Sequence, residues 1–168
     1  MKRIIRYLAG TSESGLRYGP PGGVTGELVG YADAAYGDCL NTRKSTSGFI
    51  YFIWNGPISW SSKRQMGVTT STAEAEYVGE CHAAKEATFL VQALREKGYE
   101  SSDTKPVTLL ADNQAAIKMA SNPINHPRSK HIDVSYRYVR WKAAELKEIE
   151  LLYISTDEMH DEARAYGG

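Results

Sequence analysis

The stretch FIYFIWNGPISW at residues 49–60 constrains the fold more tightly than any other part of the chain. Two apolar, aromatic-rich runs flank Asn55-Gly56, and such a dipeptide between such runs is the strongest short-range signal for a β-hairpin. Strand patterns at 26–33 and 47–54 therefore give, with the run after the turn, three antiparallel strands at the start of the fold. The period then changes. STAEAEYVGECHAAKEATFLVQALREKG (71–98) reads as one long helix, with Ser71 and Glu74 spaced as a capping box and Gly98 as the C-terminal stop. PVTLLAD (106–112) is nearly continuous in apolar residues, as expected of a central strand covered on both faces. A helix near 113–121, a loop SNPINHPRSKH and a second long helix at about 132–147 follow, the last with Ile132, Tyr136, Val139, Ala143 and Leu146 on one stripe. EIELLYI (148–154) is a final strand, and 157–165 a short polar helical tail. Hairpins followed by alternating helices and strands predict an α/β fold, a mixed five-stranded sheet with helices packed on it.

Length sets the scale: 168 residues suit one domain with a short appendage. YGPPGG (18–23) is the best boundary, and it separates a short basic and apolar helix at 2–9 from the rest. No apolar run approaches the roughly 20 residues that cross a bilayer, and MKRIIRYLAG is too short and polar for a signal peptide. Cys39 and Cys81 have no ligand spacing, so neither a zinc site nor a disulfide framework is expected. Twenty basic and 20 acidic residues leave no net charge, whereas a protein that coats nucleic acid is usually basic. Any such contact has to come from local clusters, of which there are three: TRKSTSG (42–48), SSKRQ (61–65) and HPRSKH (126–131).

The acids are better placed than the bases. In LVGYADAAYGD (28–38), Asp33 falls on the strand face that carries Val29 and Tyr31. Asp is common where strands run into turns, which is one reading of it. In the long helix, Glu76 shares a face with Ala83, Ala87, Leu90 and Leu94 and so leans toward the sheet. An unpaired carboxylate there needs a cation, a hydrogen-bond partner or a shifted pKa. Glu80, one turn on, is the alternative, while Glu74 is occupied by the cap. Asp112 ends the buried strand, either as an N-cap or as a ligand at the carboxyl end of a strand, where open α/β sheets bind. Three converging carboxylates repel unless divalent cations neutralise them, and oxygen-only donors suit Mg²⁺ or Mn²⁺. Two such ions roughly 4 Å apart are the usual device for displacement at a phosphodiester.

Taken in order, LVGYADAAYGD, RKSTSGFIYF, GPISWSSKRQ, TTSTAEAEYVG, LLADNQAAIKMASNP, HPRSKHIDVSYRYVR and EIELLYISTDEM resemble the ribonuclease H domain of copia-type LTR retrotransposon Pol polyproteins. KRIIRYLAGTSESGLRY resembles the segment joining the reverse transcriptase to that domain. The resemblance implies residues 1–24 as connector and 25–168 as the ribonuclease H domain. It implies hydrolysis of the RNA strand of RNA–DNA hybrids during reverse transcription, with four acids holding two Mg²⁺ ions, or Mn²⁺ in their place. One ion would activate the attacking water and the other stabilise the leaving 3′-oxygen.

Asp33 in YADA matches the first acid, Glu76 in AEAEY the second and Asp112 in LLADNQ the third. The fourth departs from the pattern. TDEM continues as HDEARAYGG, so Glu162 takes the acid's position with Asp161 beside it, and the apolar pair before it has become His160-Asp161. Arg43, Lys44, Lys63, Arg64, Gln65, Arg128, Lys130 and His131 are the expected substrate-gripping residues, with Asn113 reaching the minor groove of the hybrid. Trp60 is expected to pack in the hairpin, with stacking on the substrate as the alternative, and Asp133 to cap a helix. The implied partners are an RNA–DNA hybrid and the reverse transcriptase of the same polyprotein, with no membrane, and the implied location is intracellular, in a cytoplasmic virus-like particle. The altered tail supports an alternative, a catalytically weakened module that binds hybrid or docks on reverse transcriptase. No protease, integrase or polymerase motif is present.

Overall fold

A computed structural model describes residues 2–16, 18–19, 26–99, 105–114 and 137–159. Its centre is a five-stranded sheet in the order β3-β2-β1-β4-β5, formed by Val29–Ala35 (β1), Thr46–Ile53 (β2), Gly56–Arg64 (β3), Val107–Ala111 (β4) and Ile149–Tyr153 (β5). β1, β2 and β3 are antiparallel neighbours, whereas β4 runs parallel to both β1 and β5. The mixed sheet expected from the order of strand and helix patterns is therefore present. A helix Lys2–Gly10 (α1) precedes the sheet, and a 25-residue helix Thr72–Glu96 (α2) links β3 to β4. Among the described residues, no helix is long and apolar enough to cross a membrane.

The hairpin forms, but its turn is one residue earlier than Asn55-Gly56. Pairing passes from Tyr51↔Ser59 to Phe52↔Pro57, so Ile58 is an extra residue and the two-residue loop falls on Trp54-Asn55. Both have positive φ, 48° and 62°, as a type I′ turn requires. Trp54 is an unusual residue for that conformation. Its indole meets the Tyr99 ring edge-on at 5.0 Å, a contact that helps hold it. Trp60, expected in the packing, is 65% exposed. β3 is an edge strand whose Ser59 reaches α2 through Glu86, so the alternate residue Trp60 points to the opposite face.

α2 starts where the capping pattern puts it. The Ser71 hydroxyl accepts the Glu74 backbone N–H at 3.2 Å, while the Glu74 carboxylate reaches past Ser71 to the Thr70 N–H and hydroxyl. Its end is a Schellman closure, with Gly98 at φ 77° and the Tyr99 N–H on the Leu94 carbonyl. The buried face is small-residue rich (Ala75, Ala83, Ala84 and Ala87 are inaccessible), which brings the helix down onto the sheet. Gly79 lies in this close layer, where a Cβ would be in van der Waals contact with Ala34 and the Asp33 carbonyl. Tyr51 of β2 donates its hydroxyl to the Ala83 carbonyl at 2.7 Å and ties the two layers together. A smaller cluster of Tyr31, Phe52, Ile154 and Met159 covers the other face.

Near the C-terminus, the helical residues 137–140 run into a π-helical segment, Trp141–Glu145, closed by the Leu146 N–H on the Trp141 carbonyl. That wider turn changes the register of the expected stripe. Val139 is buried, but Leu146 is turned outward and Lys142 inward, where it pairs with Glu148 at 2.6 Å. The expected helix at 113–121 beyond Gln114, the loop after it, Ile132 and Tyr136 lie outside the described residues, as do the 24/25 boundary and Asp133.

Gly30 offers a test of the layer packing. A Cβ at this position would overlap the Tyr51 ring, which its hydroxyl bond to α2 holds in place. Gly30→Ala is expected to lower stability by about 1–3 kcal/mol, measured by urea unfolding.

Candidate active site

The pairing of β1 with β4 ends at Ala32↔Ala111. The next residues on the two parallel strands are Asp33 and Asp112, so the register alone sets two carboxylates side by side at the carboxyl ends of adjacent strands. α2 crosses above them at its N-terminal end and contributes Glu76, 7% exposed. One carboxylate oxygen from each of Asp33, Glu76 and Asp112 lies within 4.8 Å of the others. Asp33 is exposed and Asp112 half-buried, so the trio opens to solvent on one side and is closed by α2 on the other.

The electrostatics follow from that crowding. Burial first, then the charges of Asp112 and Asp33, push the Glu76 carboxyl up to about 8, against a smaller opposing hydrogen bond from the Ala34 backbone. Glu80, only 1% exposed, is likewise pushed up to about 8 by burial and by the charges of Glu76 and Asp112. Neither Glu80 carboxylate oxygen has a hydrogen-bond partner among the described residues. An oxygen-only donor set, mutual repulsion and an orphaned acid beneath it are the properties expected of a centre that takes a hard divalent cation. Asp33, Glu76 and Asp112 are the residues that would hold it.

One contact here had no sequence signal. The Thr156 hydroxyl donates to Asp112 Oδ2 at 2.8 Å, linking the acid to the helical turn 156–159. Threonine at a helix start reads as an ordinary cap, and only the fold shows what it reaches.

The basic residues are distributed differently. Lys63 and Arg64 are exposed at the end of β3, and Arg43 is exposed in the turn before β2 at φ 54°, with Lys44 half-buried beside it. Gln65, expected at the surface with them, is 3% exposed. Its Nε2 donates to the Ser47 hydroxyl and the Ala75 carbonyl, pinning the start of α2 to β2. A groove of about 490 Å³ between β3 and α2 is lined by Phe49, Lys63, Arg64, Val78 and His82. Asn113 directly follows Asp112 and is half-buried. Arg128, Lys130, His131, Asp161 and Glu162 lie outside the described residues.

The sequence aligns with segments of retrovirus-related Pol polyproteins. It is 37% identical over 158 residues to that of transposon TNT 1-94 from Nicotiana tabacum, and 35% identical over 162 residues to that of transposon RE1 from Arabidopsis thaliana. These alignments cover 94% and 96% of the chain. The chain belongs to the copia-type retrotransposon Pol polyproteins. It spans about 11% of the length of those relatives. No family model matches the sequence. The fold agrees with that of LC11 ribonuclease H1, isolated from compost by a metagenomic approach, with a TM-score of 0.59 at 12% identity over 84% of this chain and 93% of that one. LC11 ribonuclease H1 has also been solved in complex with an RNA/DNA hybrid, and that structure gives a TM-score of 0.55 at 12% identity over 79% of this chain and 88% of the other.

The raised carboxyls make stability depend on pH. Between the ordinary value of 4.5 and about 8, the folded state holds protons on Glu76 and Glu80 that the unfolded chain has released. The contribution of these two groups to stability therefore falls as pH rises through this window and is greatest below it. In EDTA, the melting temperature is expected to drop steadily across that range, and Glu76→Gln should flatten the profile; a wild-type Tm that rises over the window would contradict the assignment.

Proposed function

We propose that this ribonuclease H domain is a divalent-metal-dependent endonuclease that hydrolyses the RNA strand of RNA–DNA hybrids during reverse transcription. The observation that carries the reading is the convergence of Asp33, Glu76 and Asp112 within 4.8 Å at the ends of two parallel strands. Bound Mg²⁺, or Mn²⁺, would supply an activated water and neutralise charge on the leaving 3′-oxygen. Asp33, the most open of the three, faces both neighbours and is suited to bridging. Glu76, held under α2, is suited to approach the ribose 2′-hydroxyl, the group that distinguishes RNA from DNA. Asp112 is held by Thr156 and fixes the third corner. Asp161 and Glu162 are the candidates for the fourth acid.

The substrate would be gripped through its phosphates, which position a duplex without reading its sequence. Lys63, Arg64, Arg43 and Lys44 fit that role, as do Arg128, Lys130 and His131, with Asn113 toward the minor groove. Gln65 supports the grip from beneath, by fixing α2 against β2. With no net charge on the chain, affinity for hybrid should be modest and should fall steeply with salt.

Residues 1–24 are assigned as connector to the reverse transcriptase of an intracellular polyprotein. α1 has no buried residue, and Ile4, Ile5 and Leu8 are each more than 60% exposed, as expected of a segment that packs on a neighbouring domain.

Cleavage of a labelled hybrid with Mg²⁺ or Mn²⁺, beside duplex DNA, duplex RNA and EDTA controls, tests the activity. Metal-dependent cutting confined to the RNA strand of the hybrid is expected. Partners one layer outside a metal site already account for about 10- to 100-fold in activity. Asp112→Asn should therefore lose at least that much, and unchanged turnover in this variant would sink the reading.

A further inference from the structure

Three acids at the strand ends explain the front of the site but leave Glu80 behind it without a role. Glu80 sits one helical turn after Glu76 on α2, 1% exposed, among the inaccessible side chains of Tyr77, Cys81, Ala83 and Ala84. Both of its carboxylate oxygens lack a hydrogen-bond partner among the described residues. Leaving a buried polar group unpaired is costly, and a leucine would fill the space at no such cost. Glu80 does no capping work, since Ser71 and Glu74 supply that at the helix start. Its electrostatic neighbours are Glu76 and Asp112, two of the three converging acids, so it lies on the site's side of the helix. It is not among the three acids whose oxygens meet within 4.8 Å, and its place is one layer behind them.

We propose that Glu80 is a positioning residue of the metal centre, whose carboxylate oxygens accept the O–H groups of the hydrated divalent ions held by Asp33, Glu76 and Asp112. The inference rests on the metal-centre reading given above. A hydrated Mg²⁺ keeps several of its waters and so carries donors into any site it enters. Glu80 offers two acceptors that no described residue uses. Its presence would then orient the hydration shell and add negative charge from the closed side of the site, as partners beyond the direct ligands do in other metal centres.

The test is Mg²⁺ binding, followed calorimetrically on the full chain without nucleic acid, for wild type, Glu80→Leu, Glu80→Gln and Asp112→Asn. Thermal unfolding of each in EDTA accompanies it. Glu80→Leu is expected to bind Mg²⁺ about 10- to 100-fold more weakly than wild type while melting at a higher temperature in EDTA. Glu80→Gln keeps the shape and one acceptor, should fall between the two in affinity, and serves if the leucine variant does not fold. Wild-type affinity in both Glu80 variants would overturn the proposal, as would unchanged affinity with a lowered melting temperature, the mark of a purely structural residue. Absence of Mg²⁺ binding by the wild type, or equal binding by Asp112→Asn, would instead sink the underlying metal-centre reading.

Discussion

Three carboxylates held with their oxygens within 4.8 Å of one another repel, and the rest of the structure is arranged to hold them there. Two come from a single register. Because β1 and β4 stop pairing at Ala32↔Ala111, Asp33 and Asp112 are neighbours without needing any side-chain contact to bring them together. Backbone pairing is strong enough to resist the repulsion, whereas a loop carrying the same residues would splay. The third acid depends on how closely α2 lies on the sheet. The inaccessible alanines of its buried face allow that approach, with Gly79 in the same close layer.

Holding α2 in place is the task of polar groups buried away from the acids. Tyr51 bonds to the Ala83 carbonyl in the middle of the helix, and Gln65 bonds to Ser47 and to the Ala75 carbonyl at its start. Ser45 bridges the Thr69 hydroxyl and the Gly37 N–H beneath the loop that leads into the helix. Each of these makes the angle and height of α2 less free, and Glu76 inherits that rigidity. A site for hard cations needs such support, since ligand positions that drift by an ångström no longer match the ion.

Much of this was legible in the chain. Asp33, Glu76 and Asp112 could be singled out because each broke a local rule: an acid on an apolar strand face, an acid on a buried helix stripe, an acid ending a buried strand. Secondary structure was readable for the same reason that the period is, with α2 marked at both ends by its caps. What failed to show was set by longer-range geometry. The turn moved to Trp54-Asn55 because a bulge at Ile58 changed the count between strands, and Trp54 found its compensation in Tyr99, 45 positions away. Leu146 left its expected stripe through a π-helical segment that no residue type announces. Gln65 sits in a run of basic and polar residues that reads as surface, yet the β3 strand ends just before it and the chain turns inward. Thr156 could not be connected to Asp112 from spacing, since the two are 44 residues apart.

Most of the buried polar groups that hold the frame are satisfied, whereas acids at the site are not. Tyr51, Ser45 and Glu74 are satisfied within the protein, by the Ala83 carbonyl, by Thr69 and Gly37, and by Thr70. Glu80 is not, and Glu76 is held beside two like charges. Natural sequences break the rule of internal satisfaction mainly where function requires it. Apart from the neutral Gln65 Oε1, the exceptions among the described residues are acids that share one end of two parallel strands and the helix above them. An apolar contact could relieve neither the repulsion nor the missing donors. A hydrated divalent cation brings positive charge and O–H donors together, which is why the pattern of what is unsatisfied points to the chemistry of what binds.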